Sequence, residues 1–98
     1  MPFVAFVEFH VAADRREEAW AIFGPMLGQT RAFEGAQRID WLIDRADDCA
    51  WTLYEEWASP EAEAAYRAYR MGEGAVPALA TVLDRPPVLR RFDAGPAN

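Results

Sequence analysis

Few side chains in this sequence could take part in catalysis, and two of them, Glu8 and His10, lie close together near its start. Glu8 and His10 lie in the β-branched and aromatic segment PFVAFVEFHV, which favours a strand. Because they are two residues apart, they share one strand face and could share a proton in a cavity. The alternative is that both lie near a strand end or line a wet interface, where partly buried His and Glu are ordinary.

Glu55 is the second candidate acid. It lies in the apolar segment CAWTLYEEW, and strand alternation puts it on the same face as Trp57. A carboxyl among apolar side chains could have a perturbed pKa and act in catalysis. The alternative is a structural ion pair, for which Arg38 and Arg90 are the candidate partners.

Four aromatic residues could wall a pocket between helices and sheet. They are Trp20, Trp57, Tyr66 and Tyr69, of which the two tyrosines are i,i+3 neighbours on one helical face. For each of them, plain core packing is the competing interpretation.

The residue inventory excludes several kinds of site. The chain has no Lys, which rules out Schiff-base chemistry and a lysine phosphate cradle. One His and one Cys do not make a zinc site of the common kind, and the acids at 44, 47 and 48 fall in a turn that looks solvated, so no metal site is expected. Ser59, the only serine, is better explained as a helix cap than as a nucleophile, and Cys49 as a small hydrophobic residue.

Composition limits the partners and the compartment. Sixteen Asp and Glu against ten Arg give a net charge of −6, which would repel a phosphate backbone, so no nucleic-acid partner is expected. The lone cysteine fits a reducing compartment, the N-terminus does not resemble a signal peptide, and no apolar run is long enough for a membrane span. We therefore expect a cytoplasmic protein without a membrane partner.

The pattern of apolar residues and breakers predicts the elements that position these groups. A helix begins at Asp14, which has capping-box spacing to Glu17, and a kink is expected at the Gly-Pro pair at 24–25. A second helix begins at Ser59, with Glu63 and Arg67 as an exposed i,i+4 pair. The predicted elements are strands over 2–11, 36–44, 49–57 and 88–92, helices over 14–35 and 59–72, and a short helix over 76–83.

This order, β-α-β-β-α-β, predicts an α+β fold of the ferredoxin-like βαββαβ type with a four-stranded antiparallel sheet. We expect residues 3–93 to form one domain and residues 94–98 to form a flexible C-terminal tail. The helices should cover one face of the sheet, and the other face carries large apolar side chains. A second copy of the chain is the simplest cover for that face, so we expect a homodimer.

Several segments, in order, resemble one known family. They are EFHVAADRREEAW, TRAFEGAQRIDWLID, WTLYEEWASPEAEAAYRAYR and LATVLDRPPVLRRFD. Together they resemble the antibiotic biosynthesis monooxygenase (ABM) family of dimeric α/β barrels, over about residues 3–93. The resemblance implies that two subunits join their sheets into one barrel, with a pocket between each sheet and its own helices. It also implies oxygenation of phenols, quinols or anthrone-like rings by O₂ without a metal or flavin.

The resemblance carries over few site residues. Trp57 matches the pocket tryptophan of quinone-forming members, but Leu53 stands where those members have asparagine. Tyr66 and Arg70 occupy places where many members have histidine. The haem-degrading relatives use an axial His and an Asn, and this chain does not match that set.

The sequence thus predicts a cofactor-free monooxygenase acting on an aromatic quinol or phenol. His10 or Glu55 would accept the proton, and Arg38 or Arg70 would stabilise the resulting anion. The substrate ring would lie against four aromatic side chains, Trp57, Tyr66, Tyr69 and Trp20. Two alternatives remain: a non-catalytic dimer that binds a small aromatic ligand or is purely structural, and a proton-moving isomerase or cyclase.

Overall fold

The computed structural model describes residues 3–96, which form one four-stranded sheet with helices on one side. The elements are β1 (Phe3–His10), α1 (Arg16–Ala32), β2 (Ala36–Ile43), β3 (Ala50–Trp57), α2 (Pro60–Arg70), α3 (Leu79–Val82) and β4 (Val88–Asp93). The sheet order is β2-β3-β1-β4, and every neighbouring pair is antiparallel. The predicted α+β, ferredoxin-like fold is confirmed. Two predictions extend beyond the described residues. The predicted tail, 94–98, includes 97–98, and the predicted first strand, 2–11, includes residue 2.

Alternation along the strands separates a covered sheet face from an open one. In β1 the side chains of Ala5, Val7 and Phe9 are buried, whereas Glu8 between them is exposed. β3 alternates in the same way, with Trp51, Leu53, Glu55 and Trp57 on the covered face. These residues pack against buried side chains of α1 and α2 to form the core.

The start of α1 differs from the prediction. A single 3₁₀ turn, Ala13–Arg15, precedes the helix, and Arg15 occupies the N-cap position without a side-chain hydrogen bond, so the predicted Asp14 cap is wrong. Pro25 lies inside a helix that runs without a break through Ala32. Its ring is on the exposed side, where water can satisfy the carbonyl that loses its partner.

α2 begins as the sequence predicts. The Ser59 side chain accepts a hydrogen bond from the Ala62 backbone N–H at 3.1 Å, and Pro60 is the first helical residue. The prediction that Glu63 lies on the exposed side is wrong, because its side chain is almost fully buried. The i,i+4 pairing to Arg67 exists, but it faces the sheet.

The edge strand β4 is the thinly covered part of the sheet. Its six residues are all exposed, including Leu89, which lies on the helix-facing side. α1 and α2 pack mainly over the β2–β3 half, whereas the four-residue α3 and the segment around Pro87 cover part of the β1–β4 half. This leaves a gap between sheet and helices. No helix among residues 3–96 is long and apolar enough to cross a membrane.

Candidate functional site

The gap above β1 and β4 is an open pocket of about 300 Å³. Its floor comes from three strands, and its walls come from α1, α2, α3 and the segment before β4. The lining residues are Val7, Phe9, Met26, Leu53, Glu55, Tyr66, Arg67, Arg70, Val76, Leu79, Pro87 and Leu89. Most of this surface is apolar, and the few polar groups converge on one side, as in small-molecule sites.

Glu55 is a fully buried carboxyl in this lining. Its Oε1 atom accepts hydrogen bonds from Trp57 Nε1 at 3.0 Å and from Arg67 Nη2 at 2.5 Å. Its Oε2 atom is buried and has no hydrogen-bond partner among residues 3–96. Burial raises the pKa of Glu55, and the Arg67 guanidinium opposes that shift. The side chain is therefore a buried carboxyl group with one oxygen occupied and one oxygen unpaired.

Arg67 links Glu55 to a second buried carboxylate. Its Nε atom donates to Glu63 Oε2 at 2.6 Å, and the other oxygen of Glu63 accepts from Arg91 Nε on β4 at 3.0 Å. The charges alternate from Glu55 to Arg67, Glu63 and Arg91, and they sum to zero. Arg67 is thus the partner of Glu55, and the predicted alternatives, Arg38 and Arg90, are wrong. Sequence reasoning missed the link because an i,i+4 pair on a helix ordinarily indicates an exposed face.

Tyr66 and Arg70 form the polar side of the pocket wall. Tyr66 Oη lies 2.7 Å from Thr30 Oγ1 and accepts a hydrogen bond from Arg70 Nε at 2.8 Å. Arg70 also donates to the backbone carbonyls of Met26 and Gly74. Arg70 therefore holds α1, α2 and the segment after α2 together, and its guanidinium is occupied by protein atoms.

The other two predicted ring-binding aromatics of this region lie behind the wall. Trp57 is fully buried and contacts the Tyr66 ring at a centroid distance of 4.9 Å, but it does not line the pocket. Tyr69 packs on Phe33, with ring centroids 5.3 Å apart, and a Cβ at Gly74 would overlap its ring. Both residues support Tyr66, and neither reaches the cavity surface.

Trp20 lies away from the pocket. It is half exposed on α1 and contacts Trp41 and Trp51, with ring centroids 4.4 and 5.6 Å away. This aromatic cluster belongs to the β2 side of the sheet, whereas the pocket lies on the β1–β4 side.

His10 lies at the end of β1 on the open face, outside the pocket lining. Its Nε2 atom is 2.9 Å from Asp47 Oδ2, and its Nδ1 atom is 2.9 Å from both carboxylate oxygens of Asp84. Hydrogen bonds to these two aspartates raise the pKa of His10. The residue joins β1 to the β2–β3 turn and to the segment before β4. Glu8, which the sequence suggested as its proton partner, is exposed on the same face.

Arg38 also lies on the open sheet face. Its Nε atom donates to Asp40 Oδ2 at 2.8 Å, and its guanidinium lies 5.8 Å from the centre of the Tyr54 ring. Of the three predicted catalytic residues, the structure thus places only Glu55 in the pocket.

One group of possible metal ligands occurs in the described part of the chain. The ligand atoms of Asp47, Asp48 and Cys49 lie within 4.8 Å of one another in the β2–β3 turn. Both carboxylates are exposed and already paired, Asp47 with His10 and Asp48 with Arg16. Burial, the largest influence, and the adjacent carboxylates raise the pKa of the Cys49 thiol, so the thiolate that a metal would need is disfavoured.

A match to a protein-family model establishes the family of the chain that carries this pocket. The model "Antibiotic biosynthesis monooxygenase" matches residues 2–74, which is most of the 98-residue chain. The chain belongs to the ABM family. The matched region includes Glu55, Tyr66 and Arg67, whereas the part of the pocket lining after residue 74 lies beyond it.

Solved structures share the ABM fold at low sequence identity. A structure titled antibiotic biosynthesis monooxygenase superposes with a TM-score of 0.85 at 16% identity, covering 96% of this chain and 99% of that one. Rv0793 from Mycobacterium tuberculosis gives 0.84 at 20% identity, with 99% and 98% covered. A conserved protein from Methanosarcina mazei Go1 gives 0.84 at 14% identity, with 94% and 91% covered. None of the curated proteins compared with the chain matches it. At these identities the likeness establishes the fold.

Proposed function

We propose that this ABM protein is a monooxygenase that oxidises a small phenol or quinol with O₂ in the pocket between sheet and helices. The observation that carries this proposal is the buried Glu55 carboxyl, which lines an apolar cavity and has one oxygen free. A base of this kind in an apolar site can take the proton of a hydroxyl group.

Proton removal is the step that this chain's residues would catalyse. The hydroxyl proton of the substrate passes to Glu55 Oε2 and leaves a phenolate, which is electron-rich enough to give an electron to O₂. The resulting superoxide and ring radical combine at the free para carbon to form a peroxide. Loss of the carbon-bound proton and cleavage of the O–O bond then give a para-quinone and water. Phenol and O₂ are thus converted to quinone and H₂O, with all atoms and electrons accounted for.

The neighbouring residues would tune and shield this base. Arg67 and Trp57 both donate to Oε1, which fixes the orientation of the carboxyl and keeps part of its negative charge stabilised. Burial works in the opposite direction and raises the pKa of Glu55 toward the range that a general base needs. The apolar lining excludes water from the reactive anion.

Oxygen consumption tests the proposal. Purified protein is incubated with a panel of quinols and of phenols with a free para position, and O₂ uptake and quinone absorbance are followed. We expect turnover in the wild type, a loss of at least about tenfold in Glu55→Gln, and little change in Glu56→Gln. Glu56 is the adjacent residue on the open sheet face, so it provides a matched loss of one carboxylate. Uptake no faster than in buffer, or equal rates in the Glu55 variant, would refute the assignment.

The second candidate function is ligand binding without turnover. The observation that favours it is that Glu55 Oε2 is closed to solvent as well as unpaired. A ligand that raises the melting temperature of the wild type, with no O₂ uptake and no product, would establish this alternative.

We also propose that the chain works as a homodimer joined through the open sheet face. This face carries an aromatic cluster in which the Phe6 ring makes edge contacts with Tyr54 and Phe92, at 5.4 and 5.5 Å. Val88 and Leu42, on the same face, are about half exposed. Exposed apolar side chains that lie together on one sheet face ordinarily mark an interface.

Light scattering after size-exclusion chromatography measures the predicted dimer directly. The expected mass is twice the chain mass of 11.0 kDa. Phe92→Glu, on the open face, should produce monomers, whereas Trp20→Glu, a comparably exposed aromatic on the helix side, should leave the dimer intact. A monomeric wild type would refute the interface.

A further inference from the structure

The polar groups of the pocket are unequal. Arg70 and Tyr66 are saturated by protein atoms, and Arg67 keeps N–H groups without a partner in the described part of the chain but is paired with two carboxylates. Glu55 Oε2 is a buried acceptor without a partner among the described residues. From this we infer that the pocket binds an uncharged ligand with a hydrogen-bond donor, which bonds Glu55 Oε2, and that it rejects ligands bearing a carboxylate or phosphate. This inference rests on the proposed location of the site, but it concerns recognition and does not require turnover.

Arg70 offers a ligand no free donor. Its Nε atom donates to Tyr66 Oη, its Nη1 atom to Gln29 Oε1 and the Gly74 carbonyl, and its Nη2 atom to the Met26 carbonyl and Thr30 Oγ1. These contacts use all five N–H groups of a guanidinium. An anionic ligand would have to break bonds that hold α1, α2 and the following segment together.

Arg67 has N–H groups without a protein partner among residues 3–96, but its charge is already balanced, so it gives an anion little net attraction. It lies between the carboxylates of Glu55 and Glu63, both buried, with contacts of 2.5 and 2.6 Å. Arg91 is the fourth charged side chain of this buried ion-pair network, and the four charges sum to zero. A ligand carboxylate in the pocket would make the sum negative beside a buried Glu55, and burying an unbalanced charge is costly.

Tyr66 is nearly saturated as well. Thr30 Oγ1 donates to the Met26 carbonyl at 3.0 Å, so its hydroxyl proton is used, and the Tyr66 hydroxyl must be the donor in their 2.7 Å contact. Tyr66 Oη in turn accepts from Arg70 Nε. Its proton is therefore not available to a ligand.

Glu55 Oε2 remains as the polar atom in need of a partner. An unpaired buried carboxylate oxygen carries a desolvation cost that a ligand donor would remove. Since Oε2 is closed to solvent, a lining side chain must move before a ligand can reach it. The rest of the lining is mostly apolar, so most of the ligand's surface should be apolar as well.

Three probes of one shape separate the possibilities: 4-propylphenol, which has a donor, 4-propylanisole, which has none, and 4-propylbenzoate, which is an anion. The pocket volume of about 300 Å³ is at the small end for ligand sites and suits a single substituted ring. Affinities are measured by calorimetric titration without O₂ at neutral pH. We expect the phenol to bind at least about tenfold more tightly than either of the others, as for a hydrogen bond to a charged acceptor.

Two variants assign this preference to the proposed atom. Glu55→Gln should reduce the preference for the phenol over the anisole at least about fivefold, because the carboxylate charge is gone. Glu56→Gln should leave all three affinities unchanged. Equal affinity of phenol and benzoate, a preference that survives in Glu55→Gln, or no binding of any probe at millimolar concentration would each overturn the inference. Selective binding of 4-propylphenol, together with no O₂ uptake on the panel of quinols and phenols with a free para position, would refute the proposed oxidation and leave this inference standing.

Discussion

Arg67→Met removes the guanidinium that bonds both Glu55 and Glu63 while keeping a long apolar stem. Glu63 retains Arg91, but that arginine is half exposed and bonds only the far oxygen. Glu55 keeps the Trp57 indole as its remaining donor and loses its counter-charge. Removing one partner of a buried ion pair costs about 3–5 kcal/mol, because the other charge stays buried without compensation. We expect a loss of this size in the free energy of unfolding. For a domain of this length, a loss of about 3 kcal/mol lowers the melting temperature by roughly 12–24 °C.

The pH dependence gives this prediction its sharpest check. Arg67 lowers the pKa of Glu55 against the effect of burial, so its removal raises that pKa further. A group whose pKa is raised in the folded state stabilises below its unfolded pKa and loses that contribution as pH rises through the folded one. The deficit of Arg67→Met should therefore be largest at neutral pH and shrink toward pH 5.

Urea unfolding at several pH values measures this deficit against a surface control. Arg15→Met removes an exposed arginine that pairs with Glu18 at 3.1 Å, and it should cost less than about 1 kcal/mol at every pH. A cost below about 1 kcal/mol for Arg67→Met, or a cost that does not change with pH, would contradict the role of Arg67 as the buried counter-charge of Glu55 and Glu63.

Three further predictions concern the elements around the site. His10→Gln should abolish a pH-dependent part of the stability that is present below the ordinary His pKa and lost as pH rises through the raised one; unfolding curves from pH 5.5 to 8.5 that run parallel for both proteins would refute it. Ser59→Ala should cost about 1 kcal/mol through loss of the α2 cap, measured by urea unfolding, with Ser59→Asp as the conservative control that should restore it. Gly74→Ala should cost roughly 1–3 kcal/mol because its Cβ overlaps the Tyr69 ring, whereas Gly72→Ala, whose Cβ meets only an ordinary contact, should be tolerated; equal melting temperatures would disprove the clash.

The sequence was sufficient for the fold because its signals are local and repeated. Strand alternation in β1 and β3 and the Ser-Pro start of α2 each predict one element, and together they predict the sheet. The start of α1 was predicted wrongly because an acid three residues before another acid resembles a capping box even where a 3₁₀ turn intervenes.

The site was only partly predictable, because its key contacts join distant parts of the chain. Glu55 could be picked out from its apolar neighbours, whereas its partner Arg67 lies twelve residues away on a helix whose rotation the sequence leaves open. His10 and Arg38 were placed on the correct strands, but which sheet face meets the helices decides whether they reach the pocket. The last wall, around Val76 and Leu79, consists of ordinary apolar residues without any chemical signature.

The register of α2 over β3 is what turns these separate signals into a site. The Ser59 cap fixes where α2 begins, and the close approach of Ala62 to Gly35 fixes how near it lies. Glycine is required at position 35 for two reasons: its φ of +93° disfavours a residue with a side chain, and a Cβ there would overlap Ala62. With that end anchored, α2 turns Glu63 and Arg67 toward the sheet one helical turn apart, which places the guanidinium against Glu55. The same anchoring leaves β4 thinly covered, so the buried carboxyl and the cavity beside it follow from one packing arrangement.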